Sequence, residues 1–279
     1  MAADSNINWN EIWKNTFENH MISRGQGEYA LMWDTKEKAE KYLQMMNQNP
    51  ERTEKIISQL SFSPEFRILD IGAGPGTLSI PISGKVHHVT AVEPAIGMAE
   101  LLRERTKTET KGNIDIVQKR WEDIDIQKDL TPPYDMVIAS YSLVMLDLKQ
   151  AIETMQKVCS GEIWLFWMAG MNSWEDHMKK LWPVIHGRSF TSPPKADILF
   201  QVLYQMNIYP NMSVMEMEHV KTYPTIEEAV LETRKQLNCS ADYDDQIREL
   251  VLPGLIYQNG TYINQERYKS VCFSWKNET

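Results

Sequence analysis

The central part of the chain has short, almost continuous apolar runs separated by longer segments of mixed polarity. Strands buried on both faces of a parallel sheet produce such runs, because helices cover both faces. The pattern predicts five strands, at residues 66–71, 85–93, 114–117, 134–140 and 161–169. It also predicts connecting helices at 94–106 and 148–158. Ligands of such a sheet bind beyond the carboxyl ends of its strands.

The flanking segments also have helical patterns. Residues 8–20 carry aromatic side chains at helical spacing, and Asp34, with Glu37 three positions later, predicts the N-cap of a second helix. The segment after the core has a more varied pattern. Its predicted elements are helices at 173–185 and 195–206, a strand at 211–222, helices beginning at Thr225 and Asp242, and a last strand at 268–275.

The turn after the first strand has the most specific chemistry. Asp70 interrupts the apolar run of this strand, and the glycines that follow allow backbone torsions and close approaches that a β-carbon would prevent. They are Gly72, Gly74 and Gly76. A dinucleotide-binding turn has the spacing G-x-G-x-x-G/A, which needs a small residue where this chain has Thr77. The spacing therefore disfavours a dinucleotide site.

A second acid, Glu93, ends the second strand about twenty residues after this turn. An acid at this place can accept hydrogen bonds from both hydroxyls of a ribose. Dinucleotide enzymes use the same device, so Glu93 indicates a nucleoside ligand of either class. The alternative interpretations are a solvated strand end for Glu93 and a turn or N-cap acid for Asp70.

The strand, Asp70, the glycine turn and Glu93 together resemble the first motifs of the class I (Rossmann-like) S-adenosylmethionine (SAM) dependent methyltransferases. The motifs cover about residues 66–170, and the flanks match only in layout. The resemblance implies an α/β fold: a three-layer, mostly parallel Rossmann-like sheet with an antiparallel last strand and helices on both faces. It also implies an N-terminal helical arm and a helical cover after strand five.

No linker or low-complexity tract divides the chain, so residues 1–279 are predicted to form a single methyltransferase domain. Its predicted parts are a helical arm at 1–60, a cofactor-binding core at 61–171, a helical substrate-side cover at 172–210 and the C-terminal part of the sheet at 211–279.

The resemblance implies SAM as cofactor, S-adenosylhomocysteine as product, and a set of cofactor-binding residues. In the family, an acid in the loop after the third strand accepts from the adenine amine and an apolar side chain packs on the ring. Glu122 or Asp123 would be the acceptor, with Glu122 preferred, and Trp121 the packing face; Trp121 as a core aromatic is the alternative. The remaining residues implied by the core motifs are Asp70, Gly72, Ala73, Gly74, Glu93, Pro94, Met98, Ser140 and Tyr141.

An N-terminal arm closes over SAM in many members of this class. An aromatic side chain of the arm then contacts the methionine end, and a cation meets the carboxylate. Arg24, Trp33 and Lys36 are the candidates here. The alternative is that the arm helices only cover the sheet.

Composition limits the partners. The chain has 29 Lys and Arg against 38 Asp and Glu, a net charge of −9, and no basic run that would indicate nucleic-acid binding. It lacks an apolar segment long enough to span a bilayer, and its three cysteines have neither zinc nor disulfide spacing. We expect a cytoplasmic protein with a small-molecule substrate, no metal and no nucleic-acid or membrane partner; oligomeric state is open.

The expected activity is in-line methyl transfer to a small molecule, and the sequence identifies no catalytic residue. A general base is needed only where the acceptor arrives protonated, and the histidines and Asp147 are more typical of surface positions. The many Trp, Tyr and Met residues of the arm and cover indicate an apolar pocket. The alternatives are a non-catalytic SAM-binding regulatory protein and a NAD(P)-dependent oxidoreductase.

Overall fold

The computed structural model describes residues 7–25 and 29–278. The strands are β1 (Arg67–Ile71), β2 (His88–Val92), β3 (Ile114–Val117), β4 (Tyr134–Ser140), β5 (Cys159–Ala169), β6 (Asn211–Tyr223), β7 (Leu255–Gln258) and β8 (Thr261–Lys276). The helices are α1 (Trp9–Arg24), α2 (Lys36–Asn47), α3 (Pro50–Gln59), α4 (Ser79–Ser83), α5 (Ile96–Glu109), α6 (Ile126–Asp129), α7 (Leu148–Val158), α8 (Ser173–His186), α9 (Ala196–Gln205), α10 (Ile226–Leu237) and α11 (Asp244–Val251). Within the described ranges, none of these helices has the length and apolar character needed to cross a membrane.

The strands form one sheet in the order β3-β2-β1-β4-β5-β8-β6, with β7 paired to β8. The first five strands are parallel, and β8 runs antiparallel to both β5 and β6. This arrangement confirms the predicted Rossmann-like fold class. The register places Ile71 beside Val92 and beside Ala139, so the carboxyl ends of β1, β2 and β4 meet at one edge.

Both faces of the sheet are covered, as the continuous apolar strands predict. On one face, Leu69 and Trp167 lie in a buried cluster with Trp13 of α1. On the other face, Ile68 and Phe166 pack in a separate cluster that includes residues of α3 and α4. Neighbouring residues of one strand thus enter different clusters, which is the alternation of a two-faced sheet.

The two helices of the segment predicted as a helical cover pack differently. Leu199 and Leu203 of α9 are fully buried in the same cluster as the sheet residues, so α9 packs against the sheet. Helix α8 behaves differently, because its Trp182 packs in a separate cluster with Val230 of α10 and Ile247 of α11.

Two local expectations are also corrected, the N-cap of α2 and the start of the last strand. The N-cap of α2 is Thr35, which accepts from the N–H of Lys38, whereas Asp34 forms an ion pair with Lys38. The helix after the glycine turn has only five residues and begins at Ser79. Strand β7 is not predicted from the pattern, and β8 begins at Thr261, before the predicted residue 268.

The arm docks closely on the core through α2 and α5. A β-carbon on Gly97 of α5 would lie 2.1 Å from the carbonyl oxygen of Thr35, so the two backbones touch at this point. The Lys36 ammonium forms an ion pair of 2.6 Å with Glu104 of α5 beside this contact. The segment around Trp33 is therefore held against the helix that follows Glu93.

Candidate functional site

A cavity of about 570 Å³ lies beyond the carboxyl ends of β1, β2, β4 and β5. Ligand sites of open α/β sheets lie at this edge, and the volume is within the usual range for small-molecule sites. Most residues implied by the methyltransferase motifs line it, from the core and from the arm. They are Trp33, Gly72, Gly74, Glu93, Pro94, Met98, Trp121, Glu122, Ser140 and Tyr141.

Glu93 connects the second strand to the glycine turn. Its Oε2 accepts a hydrogen bond of 2.8 Å from the N–H of Gly74, and its Oε1 accepts one of 2.8 Å from the N–H of Ala95. Gly74 adopts φ +58°, and an added β-carbon there would meet no atom within 4 Å, so the turn leaves open space on this side. Each carboxylate oxygen retains a free lone pair for a ligand donor.

Burial shifts the pKa of both acids at this edge. Loss of solvation raises the pKa of Glu93 to about 7, against the opposing effect of the Ala95 and Gly74 N–H groups. Burial likewise raises the pKa of Asp70 to about 6, although the Ser79 hydroxyl donates to it at 2.5 Å. Asp70 is only 2 % exposed and lies below the turn, outside the wall of the large cavity.

A second cavity of about 50 Å³ adjoins the large one and shares Gly72, Gly74 and Ser140 with it. Asp70 and Ala73, both implied by the motifs, line this smaller space. A water-sized group needs roughly 10–15 Å³ by such a measure, so only a few polar groups fit. The large and small cavities together suit a ligand with a bulky part and a compact polar end.

Two residues of the small cavity were not predicted to bind a ligand. The buried Thr77 hydroxyl has no hydrogen-bond partner among the described residues. Arg52 lines both cavities; its guanidinium lies 4.1 Å from the centroid of the Tyr141 ring and donates to the Met46 sulfur at 3.6 Å. No carboxylate among the described residues pairs with it, and guanidinium N–H groups in a cavity wall can bind an anion.

The cations predicted from the sequence lie elsewhere. The Arg24 guanidinium is 5.5 Å from the Trp174 ring centroid, and Arg24 is not among the described residues of either cavity wall. Lys36 is paired with Glu104 on the outer side of the arm. Of the predicted arm residues, Trp33 lines the large cavity, where it packs edge-on against Tyr42 at 5.2 Å between centroids. Arg52 replaces Arg24 and Lys36 as the cation that the arm brings to the cavity.

Trp121, in the loop after β3, is both a core aromatic residue and a residue of the cavity wall. The side chain is 3 % exposed and its indole N–H donates to the carbonyl oxygen of Ala151 in the core, yet it also lines the cavity. Glu122 lines the cavity as well, whereas Asp123 is not among the described lining residues. Arg120 of the same loop lies 3.7 Å from Glu122. The structure thus brings the preferred acid to the cavity.

The remaining wall is apolar and comes from α1, the β4–α7 loop, the end of β5 and the segment before α9. The sequence indicates an apolar pocket without identifying these residues, because their place depends on how α1 crosses the sheet. They include Phe17, Met21, Val144, Met145, Leu146, Trp167, Met168 and Pro193. Among the described residues, no three His, Cys, Asp or Glu side chains are grouped so that they could hold a metal ion.

Residues 68–161, from β1 into β5, match the family described as "Methyltransferase domain". This stretch contains the glycine turn, Glu93 and Glu122. A Haemophilus influenzae protein described as uncharacterized is 25% identical over 214 residues, which are 76% of this chain and 75% of that protein.

Solved structures give the same architecture. A candidate methyltransferase from Bacillus halodurans has a TM-score of 0.57 at 13% identity, over 81% of this chain and 99% of its own. Phosphoethanolamine N-methyltransferase 2 of Haemonchus contortus, solved in complex with SAM, has a TM-score of 0.55 at 13% identity, over 89% of this chain and 60% of its own. At these identities the likeness shows a shared fold. Residues 68–161 of this chain are thus similar to methyltransferase domains, and they lie in a Rossmann-like fold that the chain shares with these solved structures.

Proposed function

We propose that this chain transfers the methyl group of SAM to a small-molecule acceptor by in-line displacement. The observation that carries the proposal is the Glu93 carboxylate, which lies in the cavity wall 2.8 Å from the N–H of Gly74. A buried carboxylate at the tip of the second strand, next to a glycine turn, is the arrangement that accepts ribose hydroxyls. Glu122 and Trp121 border the same cavity. There the Glu122 carboxylate would accept a hydrogen bond from the adenine amine, and Trp121 would pack on the adenine ring.

The small cavity fits the amino-acid end of SAM. Arg52 and the unpartnered Thr77 hydroxyl are donors that would hold the carboxylate. Asp70 and residues of the glycine turn border the same space, where a carboxylate and backbone carbonyl groups would favour an ammonium group. We therefore assign Arg52 to the role for which the sequence suggested Arg24 or Lys36.

When bound, SAM supplies a methyl group on a positively charged sulfur; the acceptor's lone pair forms the new bond, and the electron pair of the broken carbon–sulfur bond stays on sulfur. The chain's contribution is to orient the two reactants and to exclude water. Positioning of this kind can supply up to roughly 7–11 kcal/mol of barrier reduction. Buried Phe17 and Trp167 line the side of the cavity next to β5 and exclude water there.

Isothermal titration calorimetry with SAM, S-adenosylhomocysteine and NADH tests the assignment of the cofactor. We expect both sulfur nucleosides to bind with 1:1 stoichiometry and NADH not to bind. Binding of NADH without SAM would overturn the proposal in favour of an oxidoreductase. Binding of SAM without transfer of its labelled methyl group to any of a broad panel of acceptors would favour a regulatory protein.

A further inference from the structure

The large cavity has two chemically distinct sides. Among the described residues, its charged side chains come from the arm and from the loops after β2 and β3. They are Arg52, Glu93, Arg120 and Glu122. The side formed by α1, the β4–α7 loop and the end of β5 presents apolar groups. If SAM binds as proposed above, it occupies the charged side, and the apolar side is left for the acceptor.

The apolar side is built on a fixed aromatic cluster. Ring centroids of Trp13 and Phe17 are 5.5 Å apart, and those of Trp13 and Trp167 are 5.7 Å apart. The indole N–H of Trp13 donates to the carbonyl oxygen of Met145, and that of Trp167 donates to Pro194. Since both N–H groups are already used, the cluster gives the cavity no free donor, and Phe17 (1 % exposed) and Trp167 (2 % exposed) border it with small apolar areas.

Three methionines complete this side: Met21 from α1, Met145 from the β4–α7 loop and Met168 from β5. Thioether side chains adapt to the shape of a ligand and make favourable contacts with aromatic rings. A charged acceptor body would lose its hydration against these groups without gaining a partner, so its binding there is disfavoured. The same surface would favour the faces of an uncharged ring.

We propose that the acceptor is an uncharged, flat aromatic molecule whose ring lies between Phe17, Trp167 and the three methionines, with its methyl-accepting atom toward the charged side. This inference rests on the proposed SAM site. It concerns the ring system of the acceptor, because the apolar wall of the cavity would contact the ring.

The test compares two probes of nearly equal shape on protein saturated with S-adenosylhomocysteine. Calorimetric titration with 2-naphthol and with 2-naphthoate separates ring binding from charge. We expect 2-naphthol to bind at least about tenfold more tightly, because only the carboxylate loses hydration in the apolar part. Equal or tighter binding of 2-naphthoate, or no binding of 2-naphthol at millimolar concentration, would overturn the inference.

Two substitutions place the ring. Met168→Glu puts a charge into the half-buried apolar wall and should weaken 2-naphthol at least about tenfold while leaving S-adenosylhomocysteine affinity intact. Met171→Glu, in the loop just after β5 and 57 % exposed, is the matched control and should change neither affinity. Met21→Glu serves as the second variant should Met168→Glu not fold. Unchanged 2-naphthol affinity in a folded Met168→Glu or Met21→Glu protein would contradict the proposal. If the wild-type protein does not bind S-adenosylhomocysteine, the result contradicts the proposed SAM site instead.

Discussion

The guanidinium of Arg52 lies over the ring of Tyr141, 4.1 Å from its centroid, where the large and small cavities meet. Tyr141 itself is fixed, because its hydroxyl donates to the Ser270 hydroxyl at 2.7 Å. Burial opposes the charge on Arg52, but the electrostatic effect of Tyr42, Tyr268 and Tyr141 outweighs it and raises the pKa of the guanidinium. The cation is therefore held ready for an anionic group of a ligand.

Arg52→Ala tests this role. The variant should weaken S-adenosylhomocysteine by about one to two orders of magnitude, because a charge-assisted pair with the ligand carboxylate is lost. It should leave the affinity for 5′-methylthioadenosine nearly unchanged, since that nucleoside lacks the amino-acid end. Lys55→Ala on the exposed side of the same helix is the control. An equal loss for both nucleosides would show that Arg52 only supports the fold of the cavity.

Glu93→Gln tests the ribose assignment. The substitution replaces one accepting oxygen by an NH₂ group, so either Gly74 or Ala95 loses its acceptor and the ribose loses part of its site. We expect the affinity for adenosine to fall by about one to two orders of magnitude, measured by calorimetry. Glu100→Gln, on the exposed face of α5, should have no effect. Unchanged adenosine affinity in Glu93→Gln would exclude the ribose role.

Nucleoside binding should depend on pH through Glu93. Its pKa is raised to about 7 by burial, so the carboxylate that we propose as the acceptor of two ribose hydroxyls forms mainly above that pH. The association constant for adenosine, which has no group of its own titrating in this range, should rise from pH 6 to pH 8. In Glu93→Gln the profile should be flat. A profile that persists in the variant would assign the titration to another group.

The stability of the ligand-free protein should change in the opposite direction. A carboxyl group with a pKa raised from 4.5 to about 7 binds its proton more strongly in the folded state. Its contribution to the free energy of unfolding is thus fully present below pH 4.5 and is lost as pH rises through 7. Urea denaturation at several pH values should show a smaller decline between pH 5 and pH 8 for Glu93→Gln than for the wild-type protein. Identical declines would argue against a raised pKa.

Much of the fold follows from the sequence because parallel strands have a strong and regular signal. The predicted strand at 134–140 and helix at 148–158 coincide with β4 and α7. Strand β7 has four residues and no apolar alternation, so its existence depends on pairing with β8. The role of α9 is equally invisible in the sequence, since an amphipathic helix has the same pattern against a sheet as over a cavity.

The candidate site likewise contains residues that the sequence predicts and residues that it does not. Residues at strand ends, such as Gly74, Glu93 and Ser140, were predictable as neighbours because the sheet topology brings those ends together. Arg52 was not, since nothing in the periodicity of α3 says which cation of the arm reaches the sheet edge. Thr77 entered the sequence argument only as a departure from the dinucleotide motif, and its buried hydroxyl is visible only in three dimensions.

The backbone contact between Gly97 and Thr35 gives a way to recognise relatives with the same arrangement. A homologue with any larger side chain at the position of Gly97 must hold its arm further from the helix after the second strand. The space between that arm and the nucleoside side of the cavity would then be wider, and Trp33 would be displaced with it. The identity of this single residue in an alignment should therefore distinguish relatives with a narrow cavity opening beside the arm from relatives with a wide one, before any of their structures is known.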